Sequence, residues 1–216
     1  MPHPKTACAQ TLFPYNHGNF LSCLKESFPM KIFLKAVVVL GLAAFGGGAP
    51  QAYGFELSSP DVPAGSVIAD AHVFKGFGCN GGNIAPALSW KNAPADTKSF
   101  ALTMYDPDAP TGSGWWHWLL INIPADRNEL PKGYSPRTFN QTGDNPMREV
   151  RNDFGELGYG GPCPPVGSKP HRYVFTLFAL KVPVLDLPKD ATAALAGYNI
   201  RANRIDQAQF TAIYGR

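Results

Sequence analysis

A proline-rich turn between two apolar segments constrains this chain to an antiparallel β-fold. The segments Ser99–Tyr105 and Trp115–Ile123 have strand length, and Asp-Pro-Asp-Ala-Pro (106–110) followed by Thr-Gly-Ser-Gly connects them. The two prolines of the turn fix φ and lack a backbone N–H, so the turn cannot be absorbed into a sheet. We therefore predict two central strands, with Asp106 and Asp108 held at a strand exit where their carboxylates can face a ligand.

The second strand of this pair opens with Trp-Trp-His-Trp (115–118). Because successive side chains of a strand point to opposite faces, Trp115 and His117 are predicted on one face, and Trp116 and Trp118 on the other. One face then belongs to the core, and the face with the histidine borders a pocket beside the aspartate turn.

A second histidine begins another strand candidate, His-Arg-Tyr-Val-Phe (171–175). The same alternation predicts that His171 and Tyr173 share a face and that Arg172 points away. These residues also have a structural interpretation, since a histidine in an aromatic strand is commonly satisfied by a backbone group and Asp-Pro turns are commonly only turns. Their joint placement at strand ends, marked by neighbouring prolines and glycines, favours convergence on one small cavity.

The composition favours short strands joined by turns. The 216 residues include 22 glycines and 21 prolines, with 12% aromatic and only 16% charged residues. Such a composition is more typical of a β-rich domain than of long helices. We predict an all-β fold, an antiparallel β-sandwich with one or two short C-terminal helices. The further elements expected are strands at Val67–Phe74, Ala87–Lys91, His171–Val182 and Phe210–Tyr214, and helical turns at Ala191–Ala196 and Ile200–Gln207.

The N-terminal region has the layout of a secretory signal peptide. A basic start at Met30 precedes an apolar run, Ala36–Phe45, which is too short to span a bilayer comfortably, and small residues follow. We expect a signal peptide over 30–54, cleaved near Gly54 or, alternatively, Ala52. Residues 1–29 are interpreted as an over-extended gene start, with a disordered tail as the alternative, and 55–216 as the mature domain. The mature protein is therefore expected in the periplasm or secreted, without a transmembrane anchor.

Removal of the leader changes the charge balance. The chain has 19 Lys and Arg against 16 Asp and Glu, and residues 1–54 hold four lysines and one glutamate, so residues 55–216 carry 15 of each sign. A neutral domain offers no basic groove, so nucleic acid and anionic membrane surfaces are not predicted partners.

Two cysteines remain in the mature domain, Cys79 in a glycine-rich loop and Cys163 in Gly-Pro-Cys-Pro-Pro. An even pair in an oxidising compartment predicts a disulfide, and two free thiols are the alternative. There is no Cys-x-x-Cys redox motif and no cysteine zinc site.

Several ordered motifs carry a family resemblance. They are Asp-Pro-Asp-Ala-Pro (106–110), Trp-x-His (115–117), Gly-Pro-Cys-Pro-Pro (161–165) and His-Arg-Tyr (171–173). Together they resemble the phosphatidylethanolamine-binding protein family, in particular its bacterial Raf-kinase-inhibitor-like branch, over Phe55–Arg216. The resemblance implies a β-sandwich with a pocket for an anion or a phospholipid headgroup. The matching residues are Asp106, Asp108, Trp115, His117, His171 and Tyr173.

Three further residues, Pro110, Gly161 and Pro164, are candidate ligand contacts in the turn and in the loop that we expect to fold over the pocket. Imidazoles, a phenol and backbone N–H groups can donate to phosphate oxygens, and Asp106 would orient and partly charge a histidine. Trp115 could pack against a cationic amine. Affinity is expected to be weak because no guanidinium clamp is available.

The function predicted from these residues is a periplasmic binding or regulatory protein, without turnover, cofactor or metal. Its ligand would be phosphate or a phosphorylated headgroup such as phosphorylethanolamine. One alternative is a His/Asp-based hydrolase, metal-assisted through an Asp2His2 site, although no Gly-x-Ser-x-Gly or His-Glu-x-x-His motif is present. Another is an inhibitor of kinases or proteases, which the resemblance to eukaryotic relatives implies weakly. The resemblance also allows a homodimer, and no protein partner is specified.

Overall fold

The computed structural model describes residues 54–135 and 147–216. The expected segment 1–29 and all but the last residue of the expected signal peptide lie outside these ranges, and the domain boundary at Phe55 stays a prediction. Within the described ranges, no helix combines the length and the apolar character needed to cross a bilayer. The elements of regular structure are β1 (Glu56–Ser58), a 3₁₀ turn (Asp70–His72), β2 (Lys75–Gly76), β3 (Cys79–Asn80), β4 (Leu88–Lys91), β5 (Ser99–Asp106), β6 (Trp115–Pro124), β7 (Glu129–Leu130), β8 (Arg148–Glu149), β9 (His171–Leu180), α1 (Ala193–Asn203) and β10 (Arg204–Tyr214).

Two antiparallel sheets form a sandwich, as predicted. The larger sheet has the strand order β10-β9-β5-β6-β8, the smaller has the order β1-β4-β7, and β2 pairs with β3 as a separate hairpin. The two predicted central strands, β5 and β6, are neighbours, and β5 also pairs with β9. The start of β9 therefore lies beside the end of β5, close to the start of β6. This neighbourhood brings together the candidate residues of all three strands.

Apolar side chains fill both faces of the larger sheet. Side chains of the two sheets meet in the main core, which includes Leu57, Leu88, Trp90, Phe100, Leu102, Met104, Trp118, Leu120, Phe175 and Leu177. The opposite face packs against α1 and the segment before it, through a second cluster that includes Leu119, Ile121, Leu185, Ala196 and Ile200. This double burial explains why β5, β6 and β9 are almost continuously apolar.

A β-bulge in β6 sets the direction of His117. Met104 is opposite Trp118 and Tyr105 is opposite Trp116, so His117 is an extra residue between two paired positions. Trp118 belongs to the core between the sheets, whereas Trp116 packs against the cluster beneath α1. The prediction that Trp116 and Trp118 share a face is therefore wrong, because the extra residue breaks the strict alternation of the strand.

The segment Val67–Phe74 was predicted to be a strand or strand pair, and this is wrong. It makes a single bridge, between Val67 and Ile213, and then turns through the 3₁₀ segment. The reason is its hydrogen bonding: the Gly82 N–H donates to the Asp70 carbonyl and the Ile84 N–H donates to the Ala71 carbonyl. Beyond the bridge, this segment thus makes its backbone hydrogen bonds with the glycine-rich loop and not with a sheet.

The C-terminal region contains one helix where two helical turns were considered. Thr192 caps α1 through its side-chain oxygen, which accepts from the Leu195 N–H. The helix then continues through Gly197, whose bare backbone faces the Trp116 ring. The following strand begins at Arg204 instead of Phe210, because it pairs along the whole of β9.

Candidate functional site

A cavity of about 210 Å³ lies where β5 ends and where β6 and β9 begin. Seven of the nine predicted ligand-binding residues line it, and Asp108 and Gly161 do not. The cavity-lining residues are Phe77, Asp106, Ala109, Pro110, Thr111, Trp115, His117, Phe154, Cys163, Pro164, Pro165, His171 and Tyr173. None of these described lining residues is Lys or Arg, so the polar chemistry of the cavity comes from two imidazoles, one carboxylate, one phenol, one hydroxyl and one indole.

Asp106 and His171 form a buried pair at one side of the cavity. Oδ2 of Asp106 accepts a hydrogen bond from Nδ1 of His171 at 2.7 Å, and both side chains are almost fully buried. The other carboxylate oxygen, Oδ1, accepts from the backbone N–H of Asp108 at 2.8 Å. Both oxygens are therefore engaged within the protein, so Asp106 orients His171 and supplies a negative charge behind it. Nε2 of His171 remains the ring nitrogen available to the cavity.

His117 has a different environment behind its ring. Its Nδ1 donates to the carbonyl oxygens of Gly160, at 2.7 Å, and Gly161, at 3.1 Å. Burial lowers the pKa of the His117 imidazole to about 4, against the opposing effect of these carbonyls. The ring is consequently neutral near pH 7, and its Nε2 is left with no hydrogen-bond partner among the described residues.

Tyr173 and Trp115 add polar atoms that have no hydrogen-bond partner among the described residues. The Tyr173 hydroxyl and the Trp115 Nε1 are both buried, and neither makes a hydrogen bond in the described part of the chain. Burial also raises the pKa of the Tyr173 hydroxyl, so this group stays protonated and can donate. Buried polar groups are normally paired, so the Tyr173 hydroxyl is a candidate hydrogen-bond donor to a ligand in the cavity.

Asp108 lies on the outer side of the turn and contacts Arg172 instead of the cavity. Its carboxylate accepts from Nε and Nη2 of Arg172 at 2.9 and 2.7 Å, and also from the Arg172 backbone N–H. The guanidinium hydrogen bonds lower the pKa of Asp108 to about 2. The two aspartates of one turn thus contact neighbouring residues of β9: Asp106 contacts His171 inside, and Asp108 contacts Arg172 outside.

The loop 152–165 closes the cavity and is fixed to β6 by backbone hydrogen bonds. The Asp153 N–H donates to the Trp116 carbonyl at 3.0 Å, and the Asp153 carboxylate accepts from the Trp116 N–H at 2.7 Å. The Gly160 N–H donates to the His117 carbonyl at 2.9 Å, while the Gly160 carbonyl accepts from the imidazole of the same residue. His117 is therefore held by the loop through both its backbone and its side chain.

Gly161 supports the site without lining the cavity. Its carbonyl accepts from His117, and its N–H donates to Oδ1 of Asn83 at 2.8 Å. A Cβ atom at this position would lie 2.0 Å from the backbone oxygen of His72. Only glycine permits this close approach. The sequence shows the glycine in Gly-Gly-Pro-Cys, but it does not show which backbone lies against it.

A disulfide joins two loops at the edge of the cavity. Cys79 and Cys163 are bonded, with their Cα atoms 6.0 Å apart, and Cys163 lines the cavity. The Arg216 guanidinium joins the same loops, since it donates to the carbonyl of Pro164 at 2.6 Å and to that of Gly78 at 2.9 Å. The cavity edge is therefore cross-linked by one covalent bond and by the Arg216 side chain.

Aromatic side chains form an apolar wall that was not among the predicted contacts. Phe154 stacks on Phe74 with ring centroids 4.0 Å apart and meets Trp115 and His117 edge-on. Phe77 contacts Phe154 and is largely exposed at the cavity edge. Phe77, Ala109, Thr111, Phe154 and Pro165 line the cavity but were not named as ligand contacts from the sequence. Of these, Phe154 could best have been predicted from the sequence, because its loop was expected to fold over the pocket.

The arrangement of the possible ligand side chains is relevant to the alternative of a metal-assisted hydrolase. In residues 54–135 and 147–216, no group of three or more His, Cys, Asp and Glu side chains is arranged to hold a metal ion. The imidazole of His171 is turned with Nδ1 toward Asp106, and Asp108 is engaged by Arg172, so the four side chains of the considered Asp2His2 set do not converge.

Comparison with known proteins identifies the family. The family model for phosphatidylethanolamine-binding protein matches residues 58–215. The chain belongs to the phosphatidylethanolamine-binding protein family. The family resemblance seen in the sequence is thereby confirmed, and proteins of this family bind small ligands.

Two similar relatives are UPF0098 proteins of Escherichia coli. Escherichia coli YbcL is 44% identical over 181 residues, which cover 84% of this chain and 98% of YbcL. Escherichia coli YbhB is 43% identical over 159 residues, covering 74% of this chain and 99% of YbhB. The crystal structure of E. coli YbcL, described as a member of the mammalian family, matches with a TM-score of 0.71 and 46% identity, over 75% of this chain and 98% of YbcL.

Proposed function

We propose that this chain is an exported binding protein whose cavity takes phosphate or a small phosphorylated headgroup such as phosphorylethanolamine. The observation that carries the proposal is the arrangement of the two imidazoles. His117 and His171 both line the cavity, and each has Nδ1 occupied by a protein acceptor, so Nε2 is the nitrogen left for a ligand. The unpaired Tyr173 hydroxyl adds a third polar group in the same cavity.

The His171 side of the cavity supplies attraction for an anion. When an oxyanion approaches Nε2 of His171, the imidazole can donate to it in the protonated form, and the carboxylate of Asp106 at 2.7 Å balances the ring charge. The Tyr173 hydroxyl can donate a further hydrogen bond. A charge-assisted hydrogen bond of this kind is about twice as strong as a neutral one, which compensates in part for the absence of Arg and Lys.

The rest of the cavity suits a small organic substituent. Phe77, Phe154 and Trp115 form an apolar wall beside the imidazoles. A cationic amine can be attracted to the face of an indole ring, and Trp115 is the tryptophan that lines the cavity. A zwitterionic phospho-amine would thus place its phosphate at His171 and Tyr173 and its ammonium group beside Trp115.

Export is supported by two observations. Residues 30–54 have the basic, apolar and small-residue layout of a signal peptide. The Cys79–Cys163 bond is a cross-link that persists in an oxidising compartment and is rare in a reducing one. N-terminal sequencing of the protein purified from the periplasmic fraction tests the location: an intact leader in the cytosolic fraction alone would reject it.

Titration calorimetry tests the ligand assignment. Phosphorylethanolamine and inorganic phosphate are titrated into wild type and His117→Ala at one pH above the histidine range and one within it. We expect tighter binding at the lower pH for the wild type, because an imidazole that gains a proton attracts an anion, and weaker binding for His117→Ala. Equal affinities of both proteins at both pH values would reject the site.

The Asp106–His171 pair also favours a second candidate, hydrolysis of a phosphate or acyl ester. A carboxylate that orients an imidazole through Nδ1 is the arrangement used for general-base catalysis. Thr111 is the hydroxyl residue that lines the cavity, and its Oγ1 donates to the Gly114 carbonyl at 2.5 Å, so it is not paired with either histidine. A phosphatase and esterase screen of wild type and His171→Gln separates the candidates: turnover lost in the variant would establish an enzyme.

A further inference from the structure

The hydrogen bonds of His117 determine which of its nitrogens carries the proton. Nδ1 faces two carbonyl oxygens, those of Gly160 and Gly161, and a carbonyl can only accept. Nδ1 must therefore be the N–H of the neutral ring. Nε2, the nitrogen left for the cavity, then carries a lone pair and is itself an acceptor. The loop that holds these carbonyls is fixed to β6 at Trp116, so this orientation is built into the fold.

The surroundings of His117 keep the ring neutral. Burial lowers its pKa to about 4, the carboxylate of Asp106 at the end of β5 opposes this change, and His171 from β9 adds to it. Tyr173 from the same strand contacts the ring edge-on and stays protonated. From the covering loop, Phe154 contacts the ring, and the Asp153 carboxylate is engaged by the Trp116 N–H.

The two histidines of the cavity therefore differ in the group that accepts the hydrogen bond from Nδ1. His171 has a carboxylate behind Nδ1, which compensates the charge of a ring that carries both protons, and in that form Nε2 is a donor. His117 has carbonyl oxygens behind Nδ1 and a buried ring, which leave Nε2 an acceptor. An oxyanion that carries no proton can accept a hydrogen bond from Nε2 of His171. It places its own lone pairs against the lone pair on Nε2 of His117.

We propose that His117 selects the protonated form of the ligand, accepting at Nε2 a hydrogen bond from a P–OH group while His171 donates to another oxygen of the same phosphate. This inference rests on the proposed function and specifies its ligand class as monoprotonated phosphate or a monoprotonated phosphate monoester. Tetrahedral oxyanions that carry no proton at neutral pH, of which sulfate is the simplest, bind more weakly even though they match phosphate in shape.

The chemistry of the two anions makes the selection measurable. A phosphate monoester has a second pKa of about 6, so its monoprotonated form is readily available in weakly acidic solution. Charge alone would favour sulfate, since the dianion is attracted more strongly to a protonated His171. A buried acceptor that is left unpaired, here facing an oxygen lone pair, is expected to disfavour sulfate by about 10- to 100-fold.

The test compares inorganic phosphate and sulfate as ligands near pH 6, by calorimetry or NMR titration, with four proteins. In wild type, and in the exposed control Tyr198→Ala, phosphate should bind at least about tenfold more tightly than sulfate. In His117→Gln the ratio should approach one, because a glutamine amide can present an N–H to sulfate. In His171→Gln both affinities should fall while phosphate remains preferred.

The outcomes separate this inference from the function on which it rests. If wild type binds both anions equally, the selection by His117 is overturned and the anion pocket stands. If neither anion nor phosphorylethanolamine binds, the proposed function itself fails. Should His117→Gln not fold, ¹⁵N NMR of the wild-type imidazoles decides: Nε2 of His117 must remain unprotonated in the phosphate complex, and a protonated Nε2 there would contradict the proposal.

Discussion

The carboxylate of Asp106 lies 2.7 Å from Nδ1 of His171, with both side chains buried at the edge of a cavity that has no Lys or Arg among its described lining residues. In this cavity Asp106 supplies the negative charge that lies behind the imidazole of His171. Asp108, two residues along the same turn, has its charge engaged by Arg172 on the outside. The same residue type therefore has two roles, which substitutions can separate.

Asp106→Asn should weaken phosphorylethanolamine binding by about tenfold or more, because the amide cannot compensate a positive charge on His171. Asp108→Asn should change affinity by less than about threefold, since it removes an ion pair whose side chains are partly solvent-exposed. Calorimetry of the two variants under identical conditions checks this contrast. A larger loss from Asp108→Asn than from Asp106→Asn would refute the division of roles.

Stability should fall in mild acid because His117 is buried as a neutral ring. In the unfolded chain His117 takes up a proton as the pH drops below about 6.5, whereas in the folded protein it does so only near pH 4. The unfolded state binds more protons in this window, so the free energy of unfolding decreases by up to about 3 kcal/mol between these pH values. Urea unfolding at several pH values measures the decrease.

The control for this pH effect is the variant His117→Gln, because glutamine has no side-chain group that takes up a proton in this pH range. The difference in unfolding free energy between wild type and His117→Gln should shrink as the pH falls from about 6.5 to about 4. Parallel pH dependences of the two proteins would show that His117 is not held neutral by the fold.

Removing the disulfide should destabilise the domain and loosen the cavity edge. For a separation of 84 residues, the chain-entropy model gives about 4–5 kcal/mol for the Cys79–Cys163 bond. The double variant Cys79→Ala/Cys163→Ala should show most of this loss in denaturant unfolding. Its affinity for phosphorylethanolamine should fall by only a few-fold, because Arg216 still joins the same two loops.

Combining the double variant with Arg216→Ala removes both cross-links. We expect a larger loss of affinity in this triple variant than the sum of the two separate losses in binding free energy, because either link alone holds the edge. Strict additivity would indicate that the two links support the cavity independently.

Gly161→Ala should impair binding although Gly161 does not line the cavity. The added Cβ would lie 2.0 Å from the backbone oxygen of His72, so the loop must shift and move the carbonyls that hold His117. We expect a loss of affinity of about tenfold. As a control, Gly167→Ala changes a glycine where a Cβ would meet nothing within 4 Å, although its positive φ adds local strain. Unchanged binding in Gly161→Ala would contradict the positioning role of the loop.

Much of the site could be predicted because it depends on local rules. Proline ended β5 at Asp106 and placed residues 107–110 outside the sheet, and period-2 alternation placed His171 and Tyr173 together, with Arg172 facing away. Both histidines and the covering loop meet at one cavity. The turn and the shared face of His171 and Tyr173 follow from short stretches of sequence, whereas the meeting of β6 and β9 at the end of β5 depends on pairing between distant segments.

The remaining features depend on pairing between distant segments. The bulge at His117 exists only relative to β5, so the sequence of β6 alone predicted a regular strand and placed Trp116 and Trp118 on one face. Asp108 was predicted to face a ligand because it shares a turn with Asp106, whereas its actual partner, Arg172, lies 64 residues away. The helix continues through Gly197 because Trp116 packs against it, a tertiary contact that overrides the weak helical propensity of glycine.

We expect Nε2 of His117 and Nε2 of His171 to contact one phosphate group in the cavity. The decisive measurement is a crystal structure of the phosphorylethanolamine complex. Two different oxygens of the phosphate should lie within about 3.2 Å of the two Nε2 atoms, with the ammonium group beside Trp115. A phosphate bound elsewhere, or one that contacts neither imidazole, would contradict this expectation.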